Sequence, residues 1–124
     1  MTKPTLLLVD DEPDLRDALS EYFSASGFVV TAVHSAAEAL AWAKDEEPRA
    51  VLADLNLPDA RGEIFLLEAR RHFPHAQLYV HSGDVEFRPS LTLIAAGVTK
   101  EHVFTKPSKL SLLVKQIQSD LAVF

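Results

Sequence analysis

Leu6, Leu7, Leu8 and Val9 are apolar at every position, and so are Ala50, Val51, Leu52 and Ala53. A strand with one wet face alternates. A run without alternation reads as a strand covered on both faces, which is how the central strands of a parallel sheet are buried. Helical periods separate these runs from other strand-like stretches. Pro13 suits the first position of a helix, and Leu15, Ala18, Leu19, Tyr22 and Phe23 share one face of it. Gly27 fits the residue after its end. Ser35 and Glu38 read as a capping box opening a helix that runs to about residue 46, ahead of Pro48. The remaining expectations are strands at 28–33, 76–81 and 101–105 and helices at 63–73 and 89–97. A last helix is opened by Pro107, with Leu110, Leu113, Val114, Ile117 and Leu121 on one stripe. Strand and helix thus alternate five times. Parallel strands joined by crossover helices, packed on both faces of one sheet, are the natural solution: an α/β doubly wound sandwich.

Length permits one such domain, 1–124, and 48% apolar residues can fill its core. The absence of cysteine removes disulfide scaffolds, thiol nucleophiles and cysteine zinc sites. A net charge of −6 argues against nucleic acid or an anionic membrane as direct partner. No apolar run approaches a membrane span, and Met1-Thr2-Lys3-Pro4 leads straight into a strand rather than a signal peptide, so a cytoplasmic location is expected.

Open parallel sheets collect chemistry beyond the carboxyl ends of their strands. Those ends carry Asp10 and Asp11, then Asp54, then Ser82, then Lys106 before Pro107. Each has an ordinary reading alone: a helix cap, a turn residue, a serine before a glycine, a loop lysine. Their convergence on one rim outweighs those readings. Crowded carboxylates repel unless a cation sits among them. Mg²⁺ suits two or three carboxylates because it keeps waters and accepts phosphate oxygens. An ammonium and a hydroxyl then serve as phosphate ligands, and a carboxylate between metal and lysine can attack phosphorus to give an aspartyl phosphate.

The segments Leu6-Leu7-Leu8-Val9-Asp10-Asp11-Glu12-Pro13, Val51-Leu52-Ala53-Asp54-Leu55-Asn56-Leu57-Pro58, Val80-His81-Ser82-Gly83-Asp84 and Phe104-Thr105-Lys106-Pro107 resemble the receiver domain of two-component response regulators. The likeness covers essentially the whole chain. It implies a flavodoxin-like (βα)5 fold with a five-stranded parallel sheet in the order 2-1-3-4-5. It makes Asp54 the phosphoacceptor. Asp11, Asp54 and the Asn56 carbonyl would ligate Mg²⁺ directly, with Mn²⁺ able to stand in, and Asp10 would act through metal-bound water. Ser82, Lys106 and the backbone N–H groups of Asn56 and Gly83 would hold the phosphoryl group. The donor would be a histidine kinase or a histidine phosphotransfer protein. Output would run through contact with a downstream protein or a homodimer formed on phosphorylation, since nothing like an output domain follows Phe124. Such a protein is no enzyme beyond its own phosphorylation and dephosphorylation. The resemblance also implies a cis Lys106–Pro107 bond.

Three departures from the family stand out. Its switch aromatic lies three residues before the lysine, where this chain has Val103. Phe104 is adjacent but faces the opposite side of the strand. The connection Val98-Thr99-Lys100-Glu101-His102 is about two residues longer than the family's. Pro89 shortens or re-angles the fourth helix. Phosphorylation read out by something other than the hydroxyl–aromatic pair is the expectation that follows.

Other classes fit less well. An aspartyl-nucleophile, Mg²⁺-dependent phosphatase of the haloacid dehalogenase type expects a general acid two residues after the nucleophile. Asn56 cannot supply that proton. A flavodoxin-like cofactor binder would need a phosphate loop where Asp10 and Asp11 stand. A receiver-like interaction module independent of phosphate is kept alive by Val103 and opposed by the intact set from Asp10 to Lys106. None of the five histidines (His34, His72, His75, His81, His102) pairs with another at helical zinc spacing. His81 should point away from Ser82, Trp42 should pack partly into the core, and Leu91, Leu93 and Ile94 are either core or a dimer or partner face, with core the default.

Overall fold

The computed structural model describes residues 3–44 and 46–122. The readings placed on Met1, Thr2 and Phe124 lie outside them. The order is β1 (Thr5–Val9), α1 (Pro13–Ala25), β2 (Val29–Val33), α2 (Ala36–Trp42), β3 (Ala50–Asp54), α3 (Gly62–His72), β4 (Gln77–Ser82), α4 (Leu91–Ala95), a 3₁₀ turn (Lys100–His102), β5 (Val103–Thr105) and α5 (Leu110–Leu121). All strands are parallel, in the order β2-β1-β3-β4-β5. The doubly wound fold and its strand order are therefore as the sequence implied.

Strand periodicity explains the unbroken apolar runs. Leu7, Val9, Val51, Ala53, Leu78 and Val80 face one layer, packed with Phe65, Leu66 and Leu93 from α3 and α4. Leu6, Leu8, Ala50, Leu52 and Tyr79 face the other, packed with Leu19 and Phe23 of α1 and Leu113 and Ile117 of α5. Every residue of β3 is buried. Each leucine so buried contributes roughly 1.5–3 kcal/mol, and both layers depend on the same central strands.

The ends of the elements differ from expectation more than their existence does. Gly27 ends α1 with φ +96°, a left-handed conformation that a Cβ disfavours. Ser35 caps α2 by accepting the Glu38 N–H at 3.1 Å, but Glu38 reaches back to the His34 N–H rather than to Ser35. α2 stops at Trp42, short of residue 46. Pro48 biases its predecessor to an extended conformation, and the chain needs that stretch to reach β3. α4 is five residues long, not nine: Ser90, just after Pro89, caps it, and Gly97 turns the chain with φ +99°. β5 is also shorter than 101–105, because Glu101 and His102 belong to the 3₁₀ turn. His102 is drawn onto β4, its Nδ1 2.7 Å from the Leu78 carbonyl and its ring stacked on Tyr79. Pro107 does not open α5, which begins at Leu110. Ser108 instead closes a turn by donating to the Thr105 carbonyl at 2.7 Å. The Lys106–Pro107 bond is cis.

Of the three apolar residues assigned to the core around α4, only Leu93 is there. Leu91 is 85% exposed and Ile94 45%, because a helix this short turns a single position inward. Trp42 is partly buried, edge-on to Phe73 at 6.4 Å between ring centres.

Candidate functional site

Asp54 ends β3, nearly buried, at the carboxyl edge of the sheet. Its Oδ1 accepts the Asn56 N–H at 3.1 Å, and its Oδ2 accepts from Lys106 Nζ at 3.3 Å. Asp10 follows β1 on the neighbouring strand and is buried. Its Oδ1 accepts the Glu12 N–H at 2.9 Å, and its Oδ2 lies 3.7 Å from Lys106 Nζ. Lys106, just past β5, reaches across the edge and donates to Glu12 Oε1 at 2.8 Å. One ammonium, delivered by the end of β5, thus serves three carboxylates delivered by the ends of β1 and β3.

The electrostatics follow from burial. Removal from water raises the Asp10 carboxyl above its ordinary value, against the pull of the Glu12 N–H and the Lys106 charge. Burial alone would lower Lys106. The hydrogen bond to Glu12 and the charges of Asp10 and Asp54 outweigh it, so the ammonium is held more firmly than usual. The hydrogen bond from Lys106 in turn lowers exposed Glu12.

Carboxylate oxygens of Asp10, Glu12 and Asp54 lie within 4.8 Å of one another, and all are hard donors. Such a set fits a small divalent cation of the Mg²⁺ kind. Asp11 is exposed and stands outside this trio. Glu12 completes the trio through its contact with Lys106. Its only signal in the sequence was adjacency to Asp10 and Asp11, and its reach to Lys106 depends on how α1 leaves β1.

Ser82 ends β4 and is buried. Its hydroxyl accepts the Asp84 N–H at 2.9 Å. Gly83 beside it is exposed, and a Cβ there would meet nothing within 4 Å, so the space above its backbone is open. Asn56 is exposed and forms an isolated antiparallel bridge to Arg61, which folds the β3–α3 loop back on itself. That loop is tied down twice more. Asp59 accepts the Ala36 and Ala37 N–H groups at 3.0 and 2.9 Å, serving the open N-terminus of α2 from a distance. Gly62 brings α3 so close that a Cβ would lie 2.5 Å from the Asp54 carbonyl oxygen. In the sequence neither Asp59 nor Gly62 carries a signal beyond that of a turn-forming residue.

On β5, Val103 packs into the layer of α3 and α4, and Phe104 packs into the other, its ring 5.8 Å from that of Tyr79. The two residues do face opposite ways. His81 leaves β4 on the opposite side from Ser82, with Nε2 3.0 Å from Ser108 Oγ.

Comparisons with known proteins agree with this geometry. The sequence profile described as "Response regulator receiver domain" matches residues 6–118. The transcriptional regulatory protein PrrA of Mycobacterium tuberculosis is 28% identical over 119 residues, covering 96% of this chain and 50% of that protein. Response regulator Rre1 of Synechocystis is 31% identical over 107 residues, covering 83% of this chain and 41% of that protein. The chain therefore spans about half the length of these relatives or less. Among solved structures, a CheY-like receiver domain protein from Methanospirillum hungatei superposes with a TM-score of 0.87 at 25% identity, over 98% of this chain and 95% of that one.

Proposed function

The chain belongs to the response regulator receiver domain family, and from that premise we propose that Asp54 is the phosphoacceptor of a phosphorelay. The observation that carries this reading is the Asp54 carboxylate: nearly buried at a strand end, 3.3 Å from an ammonium and crowded by two further carboxylates. A carboxylate oxygen attacks phosphorus. The bond from phosphorus to the donor's histidine nitrogen breaks, and its electron pair leaves with that nitrogen.

The residues divide the work by chemistry. Asp54 and Asp10, with Asp11 and the Asn56 carbonyl beside them, would hold Mg²⁺. The ion, or Mn²⁺ in its place, would neutralise charge on the transferring oxygens. Lys106 exchanges Glu12 for a phosphoryl oxygen, which the exposure of Glu12 makes inexpensive. Ser82 gives up the Asp84 N–H and turns its hydroxyl to the phosphate, while the N–H groups of Asn56 and Gly83 complete the cradle. The donor is a histidine kinase or a histidine phosphotransfer protein. The state is read by a downstream protein or by a second copy of the chain. Neither nucleic acid nor membrane is a direct partner of this domain: net charge is −6, and among the described residues no helix is long and apolar enough to cross a membrane. We place the protein in the cytoplasm. With Val103 on the side where the family's aromatic would swing, the phosphate signal leaves by a route that does not require a ring at that position.

Acetyl phosphate tests the reading. Incubation with Mg²⁺ adds one phosphate, seen by intact mass, and Asp54→Asn abolishes it. Label that forms without a divalent ion, or that survives the substitution, overturns it. Repeated turnover on a phosphate ester would point instead to a hydrolase.

A further inference from the structure

His81 is 1% exposed, and among the described residues its Nδ1 is the buried side-chain atom that has no hydrogen-bond partner. An apolar side chain of similar size would fill this place without the cost of an unsatisfied nitrogen. The other ring nitrogen shows what the imidazole does that an apolar group could not. Nε2 lies 3.0 Å from Ser108 Oγ, and Ser108 Oγ lies 2.7 Å from the Thr105 carbonyl oxygen. A carbonyl oxygen can only accept, so the single hydroxyl proton of Ser108 is committed to Thr105. The Ser108 oxygen must then accept from His81. Nε2 carries the proton and Nδ1 a bare lone pair.

This chain closes around Lys106. Thr105 precedes the lysine and Ser108 follows it by two residues. The Lys106 N–H itself donates to the Ser82 carbonyl at 2.6 Å. Two consecutive residues of β4 therefore grip the lysine's segment, Ser82 by its backbone and His81 by its ring through Ser108.

We propose that His81 is a positioning residue for Lys106: its Nε2–H, relayed through the Ser108 hydroxyl to Thr105, fixes the backbone from which the ammonium reaches Asp54. The proposal rests on the phosphoryl-transfer reading above. Lys106 must meet an oxygen of the transferring group at hydrogen-bond distance, and small misplacements of such a group are costly in rate.

The test follows acetyl phosphate labelling in Mg²⁺ for wild type, His81→Leu, His81→Gln, Ser108→Ala and Ser108→Thr. His81→Leu and Ser108→Ala are each expected to slow labelling roughly ten- to a hundredfold while still melting cooperatively. His81→Gln keeps an N–H and Ser108→Thr keeps the hydroxyl, so both recover most of the rate. The double variant His81→Leu/Ser108→Ala is no slower than the slower single, because each removes the same relay. Nitrogen NMR of the unphosphorylated protein gives a second readout: the His81 ring is protonated at Nε2 and bare at Nδ1, and the Lys106 amide resonance moves in both disruptive variants. Folded His81→Leu and Ser108→Ala proteins labelling at the wild-type rate would overturn the proposal and leave the phosphoacceptor reading standing. A ring protonated at Nδ1 would overturn it too. Should His81→Leu fail to fold, Ser108→Ala decides alone. A wild type that takes no label brings down the phosphoacceptor reading itself, and this one with it.

Discussion

Lys106 touches carboxylates through its ammonium and contributes little to either core layer, so it acts as a ligand and not as packing. Lys106→Ala should keep the wild-type circular dichroism spectrum and weaken Mg²⁺-dependent labelling by roughly tenfold or more, as loss of one charge-assisted contact to the transferring group implies. Unfolding would contradict this. His81 gives a prediction of stability against pH in EDTA. Burial first, then the nearby Lys106 charge, lowers its pKa from 6.5 to about 4, with exposed Glu12 pulling weakly the other way. Its contribution to stability is therefore full above 6.5 and is lost as pH falls toward about 4, since the unfolded chain binds the proton first. The loss is on the order of 3 kcal/mol at most. Urea unfolding across that range should show a shallower acid limb in His81→Leu than in wild type; identical limbs would refute the assignment. At this scale the sequence revealed Asp10, Asp54, Ser82 and Lys106, because strand ends can be counted along the chain. It hid Glu12, Asp59 and His81. Their roles depend on a rotamer or a partner 94, 23 and 27 residues away respectively.

Between elements, the tightest constraint is Gly62 at the start of α3. Alanine normally favours a helix over glycine by about 1 kcal/mol. Here its Cβ would meet the Asp54 carbonyl oxygen at 2.5 Å and the Leu55 Cα at 2.6 Å, both backbone atoms that cannot rotate aside. Gly62→Ala should therefore destabilise the protein by roughly 1–3 kcal/mol, measured by the urea midpoint, and slow labelling as the end of β3 shifts. A neutral or stabilising result would mean that α3 can slide away from the site without consequence. The helices and strands themselves were legible because periods of two and of 3.6 residues sort apolar positions differently. Their ends were not. α4 and β5 came out shorter than their apolar content suggested, because Ser90, Gly97 and the pull of His102 onto β4 decide where each begins or stops. Leu91 and Ile94 stand outside the core for the same reason, since periodicity identifies a face only when a helix is long enough to possess one.

Across the whole molecule, the fold was legible from the two unbroken apolar runs, since only a sheet covered on both faces buries every residue of β3. That same architecture concentrates negative charge where β1 and β3 end, and the charge should appear as a stability defect that a metal relieves. Two unit charges 4.8 Å apart repel by about 3 kcal/mol at an effective dielectric of 20. Lys106 cancels part of that, so one ammonium faces three carboxylates and a local excess of negative charge remains. Asp54→Asn removes one of them while keeping the shape and the acceptor for the Asn56 N–H. In EDTA this variant should be neutral to about 2 kcal/mol more stable than wild type, the upper figure being the repulsion from both neighbouring carboxylates, about 7 kcal/mol, less the lost attraction to Lys106 at 3.3 Å, about 5 kcal/mol. Addition of Mg²⁺ should then reverse the ranking. Wild type gains about 2.7 kcal/mol when the ion stands at about a hundred times its Kd, and the variant, having lost a direct ligand, gains much less. Thermal melts of both proteins with and without Mg²⁺ measure the crossing. A variant markedly less stable in EDTA would mean that the Lys106–Asp54 contact outweighs the crowding. Equal Mg²⁺ shifts in the two proteins would place the ion somewhere other than Asp54.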